Sequence, residues 1–345
     1  MKKKVLITGG SGYFGESLTK RLLSKGYDCS ILDLNPPSSE IQKHVRFFKC
    51  DIRDSEKVHE SCRNIDYIYH NVAQVPLAKD KELFDSVNNV GTFNILESAK
   101  KNSCSHFVYT SSSAIYGVPK YNPVKESDKP TPMESYGKAK LDGENKCLEY
   151  RNEFKVSVIR PRTILGHGRL GIFQILFEWI YNNQNIPVFD KGKNIYQFIH
   201  SDDLADACIR TTELSKSGIF NIGTDRYSSM KDMLQFLIDT SGKSSRIKSL
   251  PSKFVVPIMS LASRLGLSPL GPYHALMYGS SMYFDISKAK EELQWKPKYS
   301  NDEMIKESYN WYLENRSEVL APKDKNSAHK SALKQRILWL VGKVL

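Results

Sequence analysis

Two residues with complementary chemistry stand four positions apart in residues 135–140, which read "SYGKAK". If this segment is helical, Tyr136 and Lys140 project from the same face of the helix. A lysine ammonium beside a tyrosine phenol favours the phenolate and lowers the pKa of the phenol. Such a tyrosine can exchange a proton with a hydroxyl or carbonyl group near neutral pH. The spacing therefore predicts proton transfer at a carbon–oxygen centre.

A second candidate site lies near the N-terminus, where Gly9, Gly10, Gly12 and Gly15 fall within seven residues. They join an apolar run, predicted as a buried strand, to a helical apolar spacing that begins at Tyr13. Glycine loses much conformational freedom on folding, so this density indicates a positive φ or a close backbone approach. A strand, a glycine turn and a helix in this order predict a dinucleotide-binding turn. The spacing is Gly-x-x-Gly-x-x-Gly, and a plain tight turn is the alternative.

The residue Asp33 ends the next predicted strand, eighteen residues after Gly15. A carboxylate at this place can accept hydrogen bonds from the ribose hydroxyls of adenosine. The following residues, "LNPPSSE", contain no arginine, so a ribose 2′-phosphate would meet a negative charge. The sequence therefore predicts NAD rather than NADP as the cofactor. An exposed strand-end residue with no binding role is the alternative for Asp33.

The elements that must position these residues alternate along the first half of the chain. Predicted strands are 4–8, 28–33, 45–50, 66–70, 105–110 and 155–160, and predicted helices are 13–25, 54–63, 80–101 and 133–151. This alternation predicts an α/β fold, a Rossmann-type doubly wound parallel sheet. Later helices are predicted near 172–183, 202–214, 229–241 and 301–315, with short strands between them.

These patterns predict a division of the chain into three parts. Residues 1–165 form the NAD-binding Rossmann domain, to which some later segments return. Residues 166–320 mainly form a smaller C-terminal α/β part that binds the substrate. Residues 321–345 form a basic linker and an amphipathic C-terminal helix.

Composition excludes several other classes of protein. The 345 residues carry a formal net charge of +12, but six Lys/Arg against one Asp in residues 322–345 account for about +5. The remaining charge is dispersed, which argues against nucleic-acid binding. The six cysteines are scattered without metal-ligand spacing, so reduced thiols and no metal site are expected. With no apolar stretch near the roughly 20 residues of a membrane span, we expect a cytoplasmic protein.

In combination, the motifs resemble the extended short-chain dehydrogenase/reductases of the NAD-dependent epimerase/dehydratase type, which include many nucleotide-sugar enzymes. The resemblance covers about residues 3–315 and rests on "TGGSGYFG", "CDIRD", "HNVAQV", "NNVGTFNILE" and "SYGKAK". It implies that Ser112, Tyr136 and Lys140 are catalytic and that Asn88 braces the active-site loop. The cofactor contacts that it implies are Gly9, Gly12, Tyr13, Phe14, Gly15, Asp33, Asp51, Ile52, Ala73, Tyr136 and Lys140.

The resemblance also implies a mechanism. Ser112 hydrogen-bonds the reacting oxygen, Tyr136 moves its proton, and Lys140 holds the nicotinamide ribose and lowers the pKa of Tyr136. Hydride passes between a carbon of the substrate and the nicotinamide. We therefore predict an epimerase or oxidoreductase that acts on a hydroxyl or keto carbon, most plausibly of a nucleotide-diphosphate sugar.

Some positions depart from the family pattern. Dehydratases place Asp-Glu after the catalytic residue, whereas Ser113 and Ala114 stand here, which argues against a dehydratase. Thr163 and Tyr196 replace an asparagine and an arginine expected near the substrate diphosphate. A third arginine, expected near residue 282, is also absent. The candidates to replace these groups are Arg160, Arg162 and Arg169.

Two alternatives remain open. The segment "RPRTILG" resembles the sterol-type branch, so a 3β-hydroxysteroid or sterol-type dehydrogenase is the enzymatic alternative. A non-catalytic NAD-binding or membrane-surface protein is the other, and the Ser112, Tyr136 and Lys140 set argues against NAD binding without turnover. Three histidines and the segment 201–203 have predicted structural roles, with Ser201 capping a helix and acids in its first turn. The histidines are His70, His167 and His200.

The expected partners are a small-molecule substrate, either a nucleotide sugar or a sterol-like compound, and a second copy of the chain. The resemblance implies a homodimer that pairs the helices near 80–101 and 133–151. Peripheral membrane contact through the basic C-terminal helix, around Leu333, Ile337 and Trp339, is an alternative to docking of that helix on the protein. Candidate residues of the dimer surface, which could equally pack on the sheet, are Leu83, Phe84, Val87, Leu141 and Leu148.

Overall fold

A seven-stranded parallel sheet forms the centre of the computed structural model, which describes residues 2–73, 81–171, 173–253, 257 and 277–321. Two further pairs of parallel strands lie outside that sheet. The strands are β1 Lys4–Thr8, β2 Asp28–Asp33, β3 Arg46–Lys49, β4 Tyr67–His70, β5 His106–Thr110, β6 Lys155–Pro161, β7 Thr163–Leu165, β8 Ile186–Phe189, β9 Phe198–His200, β10 Gly218–Ile222 and β11 Ile247–Leu250.

Helices of very different length connect and follow the strands. A π-helical turn, Ser86–Val90, joins α4 to α5, and a 3₁₀ turn, Ser113–Tyr116, follows β5. The helices are α1 Tyr13–Ser24, α2 Ser39–Gln42, α3 Ser55–Ser61, α4 Lys81–Asp85, α5 Gly91–Lys101, α6 Ser135–Glu149, α7 Phe173–Tyr181, α8 Ser201–Glu213, α9 Met230–Ser241, α10 Ser287–Glu292 and α11 Asn301–Leu320.

The strand order of the main sheet is β3-β2-β1-β4-β5-β6-β10, with all neighbours parallel. Val5, Leu6 and Ile7 of β1 are fully buried, as expected for a strand covered on both faces. The chain leaves β1 in one direction and returns to its other side at β4, which creates a crevice at the carboxyl ends of these strands. The predicted Rossmann-type sheet is confirmed.

Segments from the second half of the chain return to this sheet. β10 pairs with β6 as the seventh strand, and α8 packs against α1, where Arg21 forms an ion pair with Asp206. Another hydrophobic cluster gathers α7, α9 and α11, with Phe177 and Tyr312 at its centre. The later segments therefore complete the sheet and also build a second core beside it.

The candidate dimer residues give a mixed result. Phe84 and Val87 are only 5% and 8% exposed, so for these two residues the alternative of packing inside the protomer holds and the dimer surface does not. The side chains exposed beside them are Val90 and Phe93. Leu83, Leu141 and Leu148 pack at the margins of the hydrophobic clusters.

The predicted C-terminal helix, in residues 321–345, lies outside the described residues except for Ala321. Within the described ranges, none of the helices combines the length and the apolar character that crossing a membrane requires.

A buried ion pair joins β6 to α6 behind the crevice. The Arg160 guanidinium donates to both carboxylate oxygens of Glu144, at 2.6–3.2 Å, and also to the Tyr116 hydroxyl at 2.6 Å. Both charged side chains are at most 4% exposed, and Ser111 donates to the same carboxylate. The Arg160 guanidinium is therefore occupied by buried contacts within the fold, and its suggested role as a replacement diphosphate ligand is wrong.

Replacing Arg160 alone should destabilise the fold more than replacing both Arg160 and Glu144. Arg160→Met leaves the Glu144 carboxylate buried without its cation, so we expect the free energy of unfolding to fall by about 3–5 kcal/mol. The double variant with Glu144→Leu should recover much of that loss. Denaturant titration measures both effects, and Arg226→Met, in the exposed pair with Glu303, is the control at under about 1 kcal/mol. Equal stability of the single and double variants would contradict this.

Candidate active site

The glycine turn between β1 and α1 brings two backbone segments into direct contact. Gly9 has a φ of +68°, and the amide of Gly12 donates to its carbonyl oxygen at 3.1 Å. A Cβ atom at Gly15 would overlap that same oxygen, so only glycine allows α1 to begin this close to β1. Because the N-cap residue is Gly12, no side chain caps the first amides of α1. This arrangement fits a diphosphate, which helix N-termini bind through exposed amides.

Asp33 lies beside this turn at the end of β2. Its carboxylate accepts hydrogen bonds from the backbone amides of Ser11, at 3.1 Å, and Asn35, at 3.2 Å. Burial raises the pKa of Asp33, and these hydrogen bonds oppose the shift. The structure thus holds a partly buried carboxylate next to the glycine turn, where the ribose of a dinucleotide is expected.

The remaining implied adenine contacts have different surroundings. Asp51 forms an ion pair with Arg53 at 2.6 Å, and this hydrogen-bonded neighbour lowers the pKa of Asp51. Ile52 is buried, and Gly91 of α5 approaches it too closely to carry a side chain. Ala73, partly buried, is the last described residue before the gap that begins at 74.

The fold brings Ser112 and Tyr136 together although 24 positions separate them. Ser112 follows β5 and caps the 3₁₀ turn, where its hydroxyl accepts from the amide of Ala114 at 3.2 Å. Tyr136 stands in the first turn of α6, and the Ser112 side chain is near enough to lower the pKa of its phenol. The two side chains therefore lie near one another where β5 ends.

A residue that the sequence analysis did not identify fixes the start of α6. The Glu134 carboxylate accepts from the amides of Tyr136 and Gly137, at 2.7 and 2.6 Å. Gly137 also lies so close to the carbonyl oxygen of Ala114 that a side chain there would clash. Helix N-cap preference points to Ser, Thr, Asp or Asn, so a glutamate cap at this position gave no recognisable signal.

Lys140 is buried one turn after Tyr136. Its ammonium donates to the carbonyl oxygen of Thr110, at 2.7 Å, and lies 4.9 Å from the ring centre of Tyr109 and 5.9 Å from that of Tyr136. Burial lowers the pKa of Lys140 from 10.5 to about 8, while the nearby Glu144 opposes the shift. A lysine in this state can change protonation at only mildly alkaline pH.

The predicted pKa of Tyr136 is wrong in direction. Burial raises the pKa of this phenol, and this effect exceeds the lowering by the Arg169 charge and the Ser112 hydrogen bond. Lys140 points its charge at Thr110 instead. The sequence spacing correctly places both residues on one helix face, but it contains no information on how deeply the phenol is buried.

The substituted family positions meet one another beside the catalytic cluster. Thr163 and Tyr196 share a hydrogen bond of 3.0 Å between their hydroxyl groups. The buried Arg162 guanidinium lies 4.9 Å from the Tyr196 ring centre and donates to the Ser113 hydroxyl at 2.8 Å. This corner of the crevice thus combines hydroxyl groups with one buried positive charge.

The histidines make hydrogen bonds within the fold. His70 lies between the hydroxyls of Thr8 and Thr92, and burial lowers its pKa to about 3. His167 contacts Asp202 at 2.9 Å, and this partner raises the pKa of His167.

His200, rather than Ser201, is the N-cap of α8, because its ring accepts from the amide of Asp202. The predicted cap at Ser201 is therefore wrong by one residue. Asp203 accepts from the amides of Lys298 and Tyr299.

Donor atoms of His167, His200 and Glu307 lie within 4.8 Å of one another. Because Nδ1 of His200 accepts a hydrogen bond, the proton of the neutral ring is on Nε2, which faces Glu307 at 3.1 Å. A metal ion at Nε2 would therefore compete with this hydrogen bond.

Comparison with known proteins agrees with this geometry. Residues 5–223 match the NAD dependent epimerase/dehydratase family. The chain is 49% identical to y4nG, an uncharacterized protein of Sinorhizobium fredii, over 98% of this chain and 85% of the relative. It is 30% identical to UDP-glucose 4-epimerase 2 of Oryza sativa subsp. japonica, over 91% of this chain and 82% of the relative.

A solved structure shows the same architecture. UDP-glucose 4-epimerase from Thermotoga maritima, determined with UDP-glucose, is 25% identical and has a TM-score of 0.73, covering 91% of this chain and 99% of that one. The chain belongs to the NAD dependent epimerase/dehydratase family. This confirms the predicted family, the NAD cofactor and the class of enzyme.

The buried Lys140 should make stability depend on pH in a defined window. Its folded pKa, about 8, lies below the ordinary value of 10.5, so the unfolded chain binds more protons between these values. Stability of the parent relative to Lys140→Met should therefore be lowest below pH 8 and rise by about 3 kcal/mol as the pH approaches 10.5. Denaturant titrations across this range measure the difference.

The exposed Lys138 on the same helix provides a control, since Lys138→Met removes one positive charge without opening the core. A difference between parent and Lys140→Met that stays flat from pH 7 to 10.5 would contradict the lowered pKa of Lys140.

Proposed function

We propose that this protein is an NAD-dependent epimerase that inverts a hydroxyl-bearing carbon, C4, of a UDP-sugar. The observation that carries the proposal is the grouping of Ser112 and Tyr136 at the end of β5 with the buried Lys140, whose ammonium lies 5.9 Å from the Tyr136 ring centre and donates to Thr110. This cluster lies at the crevice edge where parallel α/β sheets bind ligands. The named relatives favour a UDP-sugar over the sterol-type substrate.

The three side chains have distinct roles in this proposal. The Ser112 hydroxyl holds the reacting oxygen of the sugar, and the Tyr136 side chain takes the proton of the sugar hydroxyl as phenolate and returns it as phenol. Lys140, fixed by Thr110, holds the ribose next to the reaction. NAD supplies the hydride acceptor and donor when it is bound.

The residues after Ser112 support epimerisation over dehydration. Loss of water from a sugar requires an acid and a base beside the reacting carbons. Ser113 and Ala114 provide neither, and the Ser113 hydroxyl accepts a hydrogen bond from Arg162. Substrate binding is assigned to the part formed mainly by residues 166–320, with Thr163 and Tyr196 at its border with the sheet.

We extend the proposal to a homodimer, with a revised surface. Val90 and Phe93 are 47% and 49% exposed on adjoining turns of the π turn and α5, and Met133, just before α6, is 57% exposed. Exposed apolar side chains of this size favour a protein interface. They replace the buried Phe84 and Val87 of the initial prediction.

The proposal is tested by incubating the NAD-loaded protein with UDP-glucose, UDP-galactose and the corresponding uronic acids, and following the sugar protons by NMR. We expect at least one of these compounds to be converted to its C4 epimer, without net formation of NADH. Formation of a dehydrated sugar, or oxidation of a sterol in place of any UDP-sugar, would contradict it.

Removal of the phenolic hydroxyl should abolish turnover without affecting the fold. Tyr136→Phe keeps the ring in place and loses only the proton relay, so we expect the turnover number to fall about 10²–10⁴-fold. NAD affinity and the unfolding midpoint should stay near those of the parent. Tyr121→Phe, at an 84% exposed tyrosine, is the matched control. Turnover within tenfold of the parent would exclude Tyr136 as the proton carrier.

The carboxylate at the end of β2 should set the choice between dinucleotides. Asp33 would repel a ribose 2′-phosphate, so the dissociation constant for NAD should be at least about tenfold lower than for NADP. Asp33→Ala should narrow that gap, whereas Asp28→Ala, at the exposed start of the same strand, should leave it unchanged. Calorimetry provides both constants, and equal affinities in the parent would refute the role of Asp33.

A further inference from the structure

A half-buried arginine stands over the first residue of α1. The Arg169 guanidinium carbon lies 5.1 Å from the ring centre of Tyr13, in the loop that follows β7. Arg21, Arg53 and Arg316 each have a carboxylate partner. No such ion pair involves Arg169 among the described residues. A positive charge held partly out of water without an anion is costly, so its position calls for a ligand.

The loop that carries Arg169 is fixed to three helices. The Tyr13 hydroxyl of α1 donates to the carbonyl oxygens of Leu165 and Gly166. The backbone amide of His167 donates to Glu307 of α11 at 3.0 Å, and its ring contacts Asp202 of α8. These bonds hold the loop across the start of α1, so the position of the Arg169 backbone is determined by the fold.

The charge of Arg169 acts on both halves of the site. It lowers the pKa of Tyr13, at the glycine turn, and the pKa of Tyr136, in the catalytic cluster, in both cases against the effect of burial. The guanidinium is therefore close enough to influence both phenols. A dinucleotide that lies along the glycine turn and reaches Tyr136 with its nicotinamide end would pass beside it.

We propose that Arg169 binds the diphosphate of NAD and completes an anion site whose other half is the start of α1. The amides after Gly12, which no side chain caps, provide hydrogen bonds to one side of the diphosphate. The planar guanidinium, which lies over the Tyr13 ring, provides a charged, two-pronged donor to the other side. The inference rests on the NAD binding that the family membership gives, and it does not depend on which sugar is the substrate.

Two considerations favour the diphosphate of the cofactor over that of the substrate. The ring on which Arg169 stacks belongs to the first residue of α1, directly after the Gly12 cap. The family positions associated with the substrate diphosphate, Thr163 and Tyr196, instead contact one another and lie next to Arg162. The charges of Arg162 and Arg169 thus lie in different parts of the crevice.

The test compares ligands that contain or lack a diphosphate. Dissociation constants of NAD, ADP-ribose, adenosine and UDP are measured by calorimetry for the full-length parent and for Arg169→Gln. We expect at least tenfold weaker binding of NAD and ADP-ribose, and binding of adenosine and UDP within twofold of the parent. Arg169→Lys should recover part of the affinity as a point charge. Arg246→Gln, which removes an exposed arginine just before β11, is the matched control.

Each other outcome counts against the proposal. Unchanged binding of NAD and ADP-ribose would show that Arg169 does not contact the diphosphate. An equal loss for adenosine would indicate damage to the turn itself, and a loss confined to UDP would assign the charge to the substrate. If the parent itself failed to bind NAD, the cofactor assignment would fail together with this inference. If Arg169→Gln behaved as expected but no UDP-sugar were converted, only the proposed reaction would fail.

Discussion

The hydrogen bond from the Lys140 ammonium to the carbonyl oxygen of Thr110 links α6, the helix that carries Tyr136, to the last residue of β5. The Glu134 cap and the close approach of Gly137 to Ala114 set the start of the same helix. Three local contacts of different kinds thus determine where Tyr136 lies relative to β5.

Burial in this arrangement disfavours the charged forms of two side chains, and neighbouring charges partly oppose that effect. Burial favours the neutral forms of both Tyr136 and Lys140, which raises the pKa of the phenol and lowers that of the ammonium. Glu144, one turn further along α6, opposes the shift of Lys140 while its own charge is balanced by Arg160. The positive charge of Arg169 opposes the shift of Tyr136. The catalytic pair therefore depends on charges from β6 and from the loop after β7.

Local sequence patterns were sufficient to predict the sheet, because strand and helix periodicity depend on residues a few positions apart. The glycine turn and the pair Tyr136 and Lys140 could be recognised for the same reason. The ion pair of Arg160 with Glu144 could not, because it depends on how β6 and α6 pack. The raised pKa of Tyr136 depends on burial, and the burial of Phe84 and Val87 depends on how their segment packs. Such properties are set by tertiary contacts, which a pattern in one segment does not contain.

In the proposed reaction, a hydride passes from a sugar carbon to the bound NAD and returns to the same carbon. UDP-glucose carrying deuterium at C4, incubated with the NAD-loaded protein and followed by NMR and mass spectrometry, tests this directly. We expect a mixture of the two C4 epimers, in which the deuterium stays at C4 and NADH does not accumulate. Loss of the deuterium to water, or an oxidised sugar with an equal amount of deuterated NADH, would contradict it.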